Sequence, residues 1–251
     1  MLKDLADSIF DMASIGFVVA KKAYARSLAD ERDIDPGLPG RLVDGLHPHR
    51  VTVKVAEIIE ETSTTNTLRL VPVAGQSLFP FRAGQFVTVF LSVDGVSTSR
   101  AYSISSPPTR LGFLDITVRK MPNGFVSRYL VDDVSLGESL EISGPGGFFY
   151  HEPLSDTSDL VFLAGGSGIT PFMSMIKSAL DLKSDVNIQL IYGSRTSDDV
   201  IFWDEVSRIV CGEDNIKANL VLSEPPESYS GLCGMLDAEM IGQCFERSLK
   251  R

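Results

Sequence analysis

The sequence predicts an antiparallel β-barrel followed by a parallel-sheet α/β unit, with a helical extension at the amino terminus. Three observations predict it. Residues 51–144 run as short alternating segments broken by turn residues, which is how antiparallel strands are written. After His151, strand-like hydrophobic runs alternate with helix-like ones, the pattern of parallel α/β structure. Before residue 50, an amphipathic pattern is separated from the rest by a stretch dense in proline and glycine. The expected organisation is a helix and linker over 1–49, a barrel domain over 50–152 and an α/β domain over 153–251.

Composition narrows the function. The 251 residues are 43% hydrophobic and 22% charged, an ordinary globular balance. A net charge of -10 argues against a nucleic-acid partner, because phosphates require a basic footprint. Cys211, Cys233 and Cys244 are too few for an iron-sulfur cluster, which takes four thiolates. The apolar run at 14–20 has seven residues against the ~20 that span a bilayer. No signal peptide or disulfide framework is visible, so a cytoplasmic location is expected. His47, His49 and His151 fall in predicted linkers and no metal site is expected.

In chain order, Leu2, Leu5, Ile9, Met12 and Phe17 define one face of a helix over 2–29, with Asp4, Asp7 and Asp11 between them. Six strands follow, at "VTVKVAEI", "TLRLVPV", "QFVTVFLSV", "VSTSRAYSIS", "FLDITVRK" and "SLEISGP". Asp94-Gly95 is a hairpin turn, and "GFVSRYLVDD" is the one helix expected within the barrel. The α/β unit reads as strand "DLVFLAGG", helix "TPFMSMIKSALDL", strand "NIQLIYG", a helix near 200–209 and strand "ANLVLS". Thr170 is expected to cap the first of these helices, with Pro171 where a missing amide proton costs nothing.

Four segments carry candidate chemistry. In "LAGGSGITP", Gly165, Gly166 and Gly168 join a strand to a helix start, where a pyrophosphate can approach the backbone and the helix dipole favours its charge. Such glycines also occur for packing alone. In "RAYSISSPP", an arginine suited to phosphate (Arg100), an aromatic suited to stacking (Tyr102) and a hydroxyl (Ser103) share one strand with Ile104. Alternation puts Arg100 and Tyr102 on one face and Ser103 on the other. In "NGFVSRYL", residues Gly124, Phe125, Val126 and Ser127 open a short helix, a second phosphate seat or a simple cap. In "GPGGFFY", Phe148 or Phe149 stands near a ring system or in the core.

These segments, in this order and joined by "YGSR", resemble the ferredoxin reductase family over residues 50–245: a flavin-binding barrel followed by a nicotinamide-nucleotide domain. The resemblance implies that hydride passes from NADPH or NADH to a flavin, FAD rather than FMN, which releases electrons singly to an iron-sulfur or haem partner. It implies that Arg100 binds flavin phosphate, Tyr102 packs on the isoalloxazine and Ser103 bonds near its reactive nitrogen, within a run that extends to Ile104. Residues 124–127 would hold flavin phosphate. Gly165, Gly166, Gly168, Thr170 and Pro171 would line the nicotinamide nucleotide site, with Ser194 and Arg195 at its adenosine ribose. Ser103, Tyr102 and Thr170 are the residues it places nearest the chemistry. Arg195, with no acidic residue closing its strand, leans toward NADPH.

Relatives in the family continue beyond the segment like "GLCGMLDAEMI" into one more strand, beside "VFLAGG". Its absence here would leave an unpaired apolar edge and reads as a truncation of a longer protein. Cys233 in "LCGM" resembles the cysteine turn that ends that strand, but the "LDAEMI" that follows it matches the helix before the strand, which argues against the equivalence. Two further readings stay open: a flavin- and nucleotide-binding subunit of a larger complex, and a nucleotide-sensing module without turnover.

Overall fold

The structure is a computed structural model that describes residues 50–93 and 95–249, with side chains described to residue 245. The expected amino-terminal helix and linker, His47, His49 and Asp94 lie outside the described residues.

Alternation builds the first sheet. In β1 (Val51–Thr62), Val53 and Val55 are fully buried while Lys54 between them is exposed, the signature of a strand with one face inward. β2 (Thr65–Pro72), β3 (Phe86–Val93), β4 (Val96–Ser103), β5 (Leu114–Arg119) and β6 (Ser139–Ile142) complete six strands ordered β4-β3-β6-β1-β2-β5. The described pairings are antiparallel, and Val93 faces Val96 across a hairpin whose Gly95 has φ 77°. The sheet curls until its two ends meet: Ile104, just past β4, bridges Ile116 of β5, and the Ser105 amide donates to the Asp115 carbonyl at 2.8 Å. Inside, Leu68, Val89, Ile104, Ile116 and Ile142 are fully buried. A short helix, α1 (Phe125–Arg128), runs into a wider turn over Tyr129–Asp133 that seals one end with Val126 and Leu130.

The second sheet is parallel: β7 (Asp159–Gly165), β8 (Asn187–Ser194), β9 (Ile216–Leu222) and β10 (Leu232–Cys233) lie in the order β10-β9-β8-β7. Helices α2 (Thr170–Leu182) and α3 (Trp203–Gly212) pack Met173, Ile176 and Val206 against Phe162, Leu190 and Tyr192. Helix α4 (Ala238–Leu249) covers the other face with Met240 and Cys244 on Ile191 and Val221. Among the described residues β7 is an edge strand, and its Val161 and Leu163 side chains are 48% and 49% exposed.

Two expectations fail locally. Thr170 does not cap α2: a tight turn over Gly166–Ile169 precedes the helix, Ile169 holds the cap position, and the Thr170 hydroxyl donates back to the Ser167 carbonyl at 2.7 Å. Of the two alternatives for Phe148 and Phe149, a core position fails: they are 94% and 56% exposed, and Phe149 meets the Phe172 ring edge to face.

Candidate functional site

The functional side chains reach one place because both sheets end there. A cleft of about 570 Å³ is lined by Arg100, Ala101, Tyr102 and Ser103 of β4, by Thr117 and Arg119 of β5, by Met121 and residues 124–127 around the start of α1, and by Ser167, Gly168, Thr170 and Pro171 before and within α2. Three of the four sequence segments thus meet, although they are remote along the chain.

Each wall has a local cause. Arg100 lies on the exposed side of β4, and its Nη1 donates to the Ser99 carbonyl at 2.7 Å and to Thr98 Oγ1 at 3.1 Å. Those contacts leave other guanidinium protons available. Tyr102 is half-buried, and this burial raises its phenol pKa, with Arg100 pulling weakly the other way. It therefore remains a neutral aromatic surface with a donor at its tip. On β5, Leu114, Ile116 and Val118 face the barrel core, so alternation presents Asp115, Thr117 and Arg119 on the opposite face.

The start of α1 is drawn tight. Ser127 Oγ accepts the Met121 amide at 3.1 Å, and a Cβ on Gly124 would stand 2.4 Å from that oxygen. The first amides of a helix have no partner within it, so this turn offers donors to an anion. Opposite, Gly166 has φ 51°, and its carbonyl accepts from the hydroxyl of the fully buried Tyr192 at 3.0 Å. The same Tyr192 oxygen accepts the Ile201 amide at 3.1 Å. Burial drives the Tyr192 pKa strongly upward, so it holds both loops as a neutral hydroxyl.

Other expected residues lie elsewhere. Ile104 is fully buried at the barrel seam and does not line the cleft. Gly165 and Gly166 do not line the cleft: Gly165 is exposed, and Gly166 stands against Arg119. Ser194 and Arg195, at the end of β8, also lie outside it: Ser194 is buried with a hydroxyl that has no partner among the described residues, and Arg195 donates to Asp199 at 3.3 Å. Arg119, Thr117, Tyr192 and Asp199 were not singled out by sequence reasoning. Only Arg119 left a signal there, a cation closing an apolar strand.

A flavin and a dinucleotide fit this donor set. The cleft offers two arginines, hydroxyls at Ser103 and Ser127, a half-buried aromatic and a helix start shaped by a side-chain-free position. The unpartnered Ser194 hydroxyl adds a buried polar atom whose bond a ligand can complete.

Comparison with known proteins agrees. The oxidoreductase FAD-binding domain family matches residues 52–151 and the oxidoreductase NAD-binding domain family matches 162–250, together about three quarters of the chain. A glycine betaine monooxygenase reductase subunit of Pseudomonas aeruginosa is 33% identical over 196 residues, covering 76% of this chain and 52% of that protein. Ferredoxin--NADP reductase B of Sorangium cellulosum is 34% identical over 162 residues, 64% of this chain and 66% of that one. The chain thus spans about half the length of the first curated relatives it matches. Among solved structures, a ferredoxin NADP+ reductase from Neisseria gonorrhoeae with bound FAD and NADP superposes with a TM-score of 0.68 at 22% identity, over 80% of this chain and 79% of that one, a likeness of fold. No described helix is long and apolar enough to cross a membrane. With a six-stranded antiparallel sheet, a parallel nucleotide-type sheet and both domain matches in the same order, the chain belongs to the ferredoxin-NADP(+) reductase-like family of FAD- and NAD(P)-binding oxidoreductases.

Proposed function

We propose that this chain is a cytoplasmic reductase module that takes hydride from NADPH or NADH onto FAD and passes electrons singly to an iron-sulfur protein or a haem. The observation that carries this reading is the single cleft shared by 100–103, 124–127 and Ser167, Gly168, Thr170 and Pro171. Its working parts are an FAD-binding barrel over 50–152 and a nucleotide-binding domain over 153–251, with 1–49 as an appended segment. Relatives named as the reductase subunit of a monooxygenase and as a ferredoxin reductase support the acceptor class.

Bound flavin supplies two-electron acceptance and one-electron release. The chain supplies binding and alignment. Arg100 and the start of α1, from Gly124 through Phe125 and Val126 to Ser127, hold flavin phosphate. Tyr102 gives the ring an apolar wall and Ser103 a hydrogen bond. Gly165, Gly166, Gly168, Thr170 and Pro171 shape the nucleotide side, where Arg119 adds a positive charge. Ser194 and Arg195 meet the adenosine end. No proton donor is needed for hydride transfer, so the residues act through proximity.

Anaerobic absorbance spectroscopy of the FAD-loaded chain tests this reading, with NADPH and then NADH added. Bleaching of the visible flavin bands by one nucleotide is expected and identifies the donor. A chain that takes up no FAD overturns the reading, and one that binds FAD but is bleached by neither nucleotide favours a sensing role.

A further inference from the structure

Asp199 is a buried carboxylate shared by two cations from different halves of the molecule. It is only 8% exposed. One oxygen, Oδ1, stands 3.4 Å from Arg119 Nη2 on barrel strand β5, and the other, Oδ2, accepts from Arg195 Nε at the end of β8 at 3.3 Å. Arg119 also lies against the glycine loop, with its Nη1 2.9 Å from where a Cβ on Gly166 would be. A second ion pair, Arg110 with Asp181, joins the turn before β5 to helix α2, but neither of its residues lines the cleft, whereas Arg119 does.

The arrangement has a mechanical consequence. Two guanidinium groups drawn to one carboxylate repel each other once its charge is removed. Their carriers are β5, which lines the cleft, and the end of β8, which stands outside it. Hydride transfer requires two rings at close contact, and a misplacement of about 1 Å costs about a hundredfold in rate. Resting on the proposed reductase function, we propose that Asp199 is a positioning residue that clamps Arg119 against the Gly166 loop, with Arg195 as second anchor, and so sets the spacing across the cleft.

The test uses the full chain loaded with FAD and the variant Asp199→Asn. Flavin bleaching at saturating nucleotide is expected to slow by about tenfold or more, since rate depends steeply on spacing. The nucleotide dissociation constant should change by less than about threefold, because uniform binding is not what the clamp supplies. Amide hydrogen exchange over 166–169, followed without nucleotide, should accelerate. Arg119→Met, which also removes a charge from the nucleotide side of the cleft, should slow bleaching at saturating nucleotide and accelerate exchange over 166–169 in the same way, and in those two readouts the double variant should be no worse than either single one, as for residues acting as one unit. A wild-type bleaching rate with unchanged exchange in Asp199→Asn overturns the proposal, as does a loss confined to nucleotide affinity or strictly additive losses in the double variant. If wild-type flavin is not bleached at all, the reductase reading fails, and the exchange comparison still decides whether the clamp exists.

Discussion

Gly124 and Gly166 both border the cleft but are glycines for different reasons. Gly124 has φ -78° and ψ 116°, backbone open to any residue; what excludes a side chain is Ser127 Oγ at 2.4 Å and Met121 Cβ at 2.9 Å from the position a Cβ would take. Gly124→Ala must therefore break the Ser127 bond to the Met121 amide and widen the start of α1. The expected outcome is loss of about 1–3 kcal/mol of stability, the usual cost of overpacking, and release of FAD during gel filtration. Retention of FAD at a wild-type ratio of visible to ultraviolet absorbance would contradict that role. Gly166, by contrast, needs its left-handed φ of 51° and the close approach of Arg119. Sequence reading found both glycines because turn chemistry is local. It placed Ile104 with the ligand-facing residues, although Ile104 bridges Ile116 where the barrel closes and its side chain is fully buried there. It passed over Asp199 and Tyr192 because their partners, Arg119, Gly166 and Ile201, come from elsewhere in the chain.

At the scale of elements, the six barrel strands and the three longer parallel strands were legible because each carries its own hydrophobic pattern, whereas the two-residue β10 is too short to carry one. The start of α2 was not: Thr170 and Pro171 look like a cap and first turn, but the Gly166–Ile169 turn shifts the cap to Ile169. Packing between elements also creates a titrating group that no local pattern announces. Glu61, at the end of β1, accepts from Thr67 Oγ1 of β2 at 2.7 Å, and the hydroxyls continue through Thr117 and Ser105 to the Asp115 carbonyl. Burial raises the Glu61 pKa above its ordinary 4.5; the Thr67 bond and Lys177 oppose this, while Glu205 and Asp115 reinforce it. The folded state therefore binds this proton more tightly than the unfolded chain. The linked stability is present below 4.5 and lost as pH rises through the folded value. Glu61→Gln keeps an acceptor for Thr67 without the buried charge, so it should match wild type in acid and exceed it at neutral pH in urea unfolding. A variant less stable than wild type at neutral pH would show that the carboxylate contributes more than its desolvation removes.

At the scale of the whole molecule, function depends on how the barrel meets the parallel sheet, and α2 carries much of that junction. Ser174 donates to the Ser106 carbonyl at 2.7 Å from within the buried interface. At its far end, Asp181 receives both arms of Arg110 at 3.1 and 3.0 Å and the Thr109 hydroxyl at 2.6 Å. The Arg110 bonds hold the Asp181 pKa below its ordinary 3.8, and Thr109 adds to the effect against a burial term of opposite sign. A depressed carboxylate stabilises the fold above its unfolded pKa and loses that contribution as pH falls through the folded value. Because the Arg110 side chain is 50% exposed, solvent screening limits the gain to about 0.5–1 kcal/mol. Asp181→Asn should therefore lower the thermal midpoint at neutral pH, more so in dilute buffer than in salt, and the deficit should vanish once the medium is acid enough to protonate Asp181 in the wild type. A deficit that persisted unchanged into strong acid would mean that Asp181 acts through its shape and its Thr109 contact, and that charge does not hold the barrel to α2.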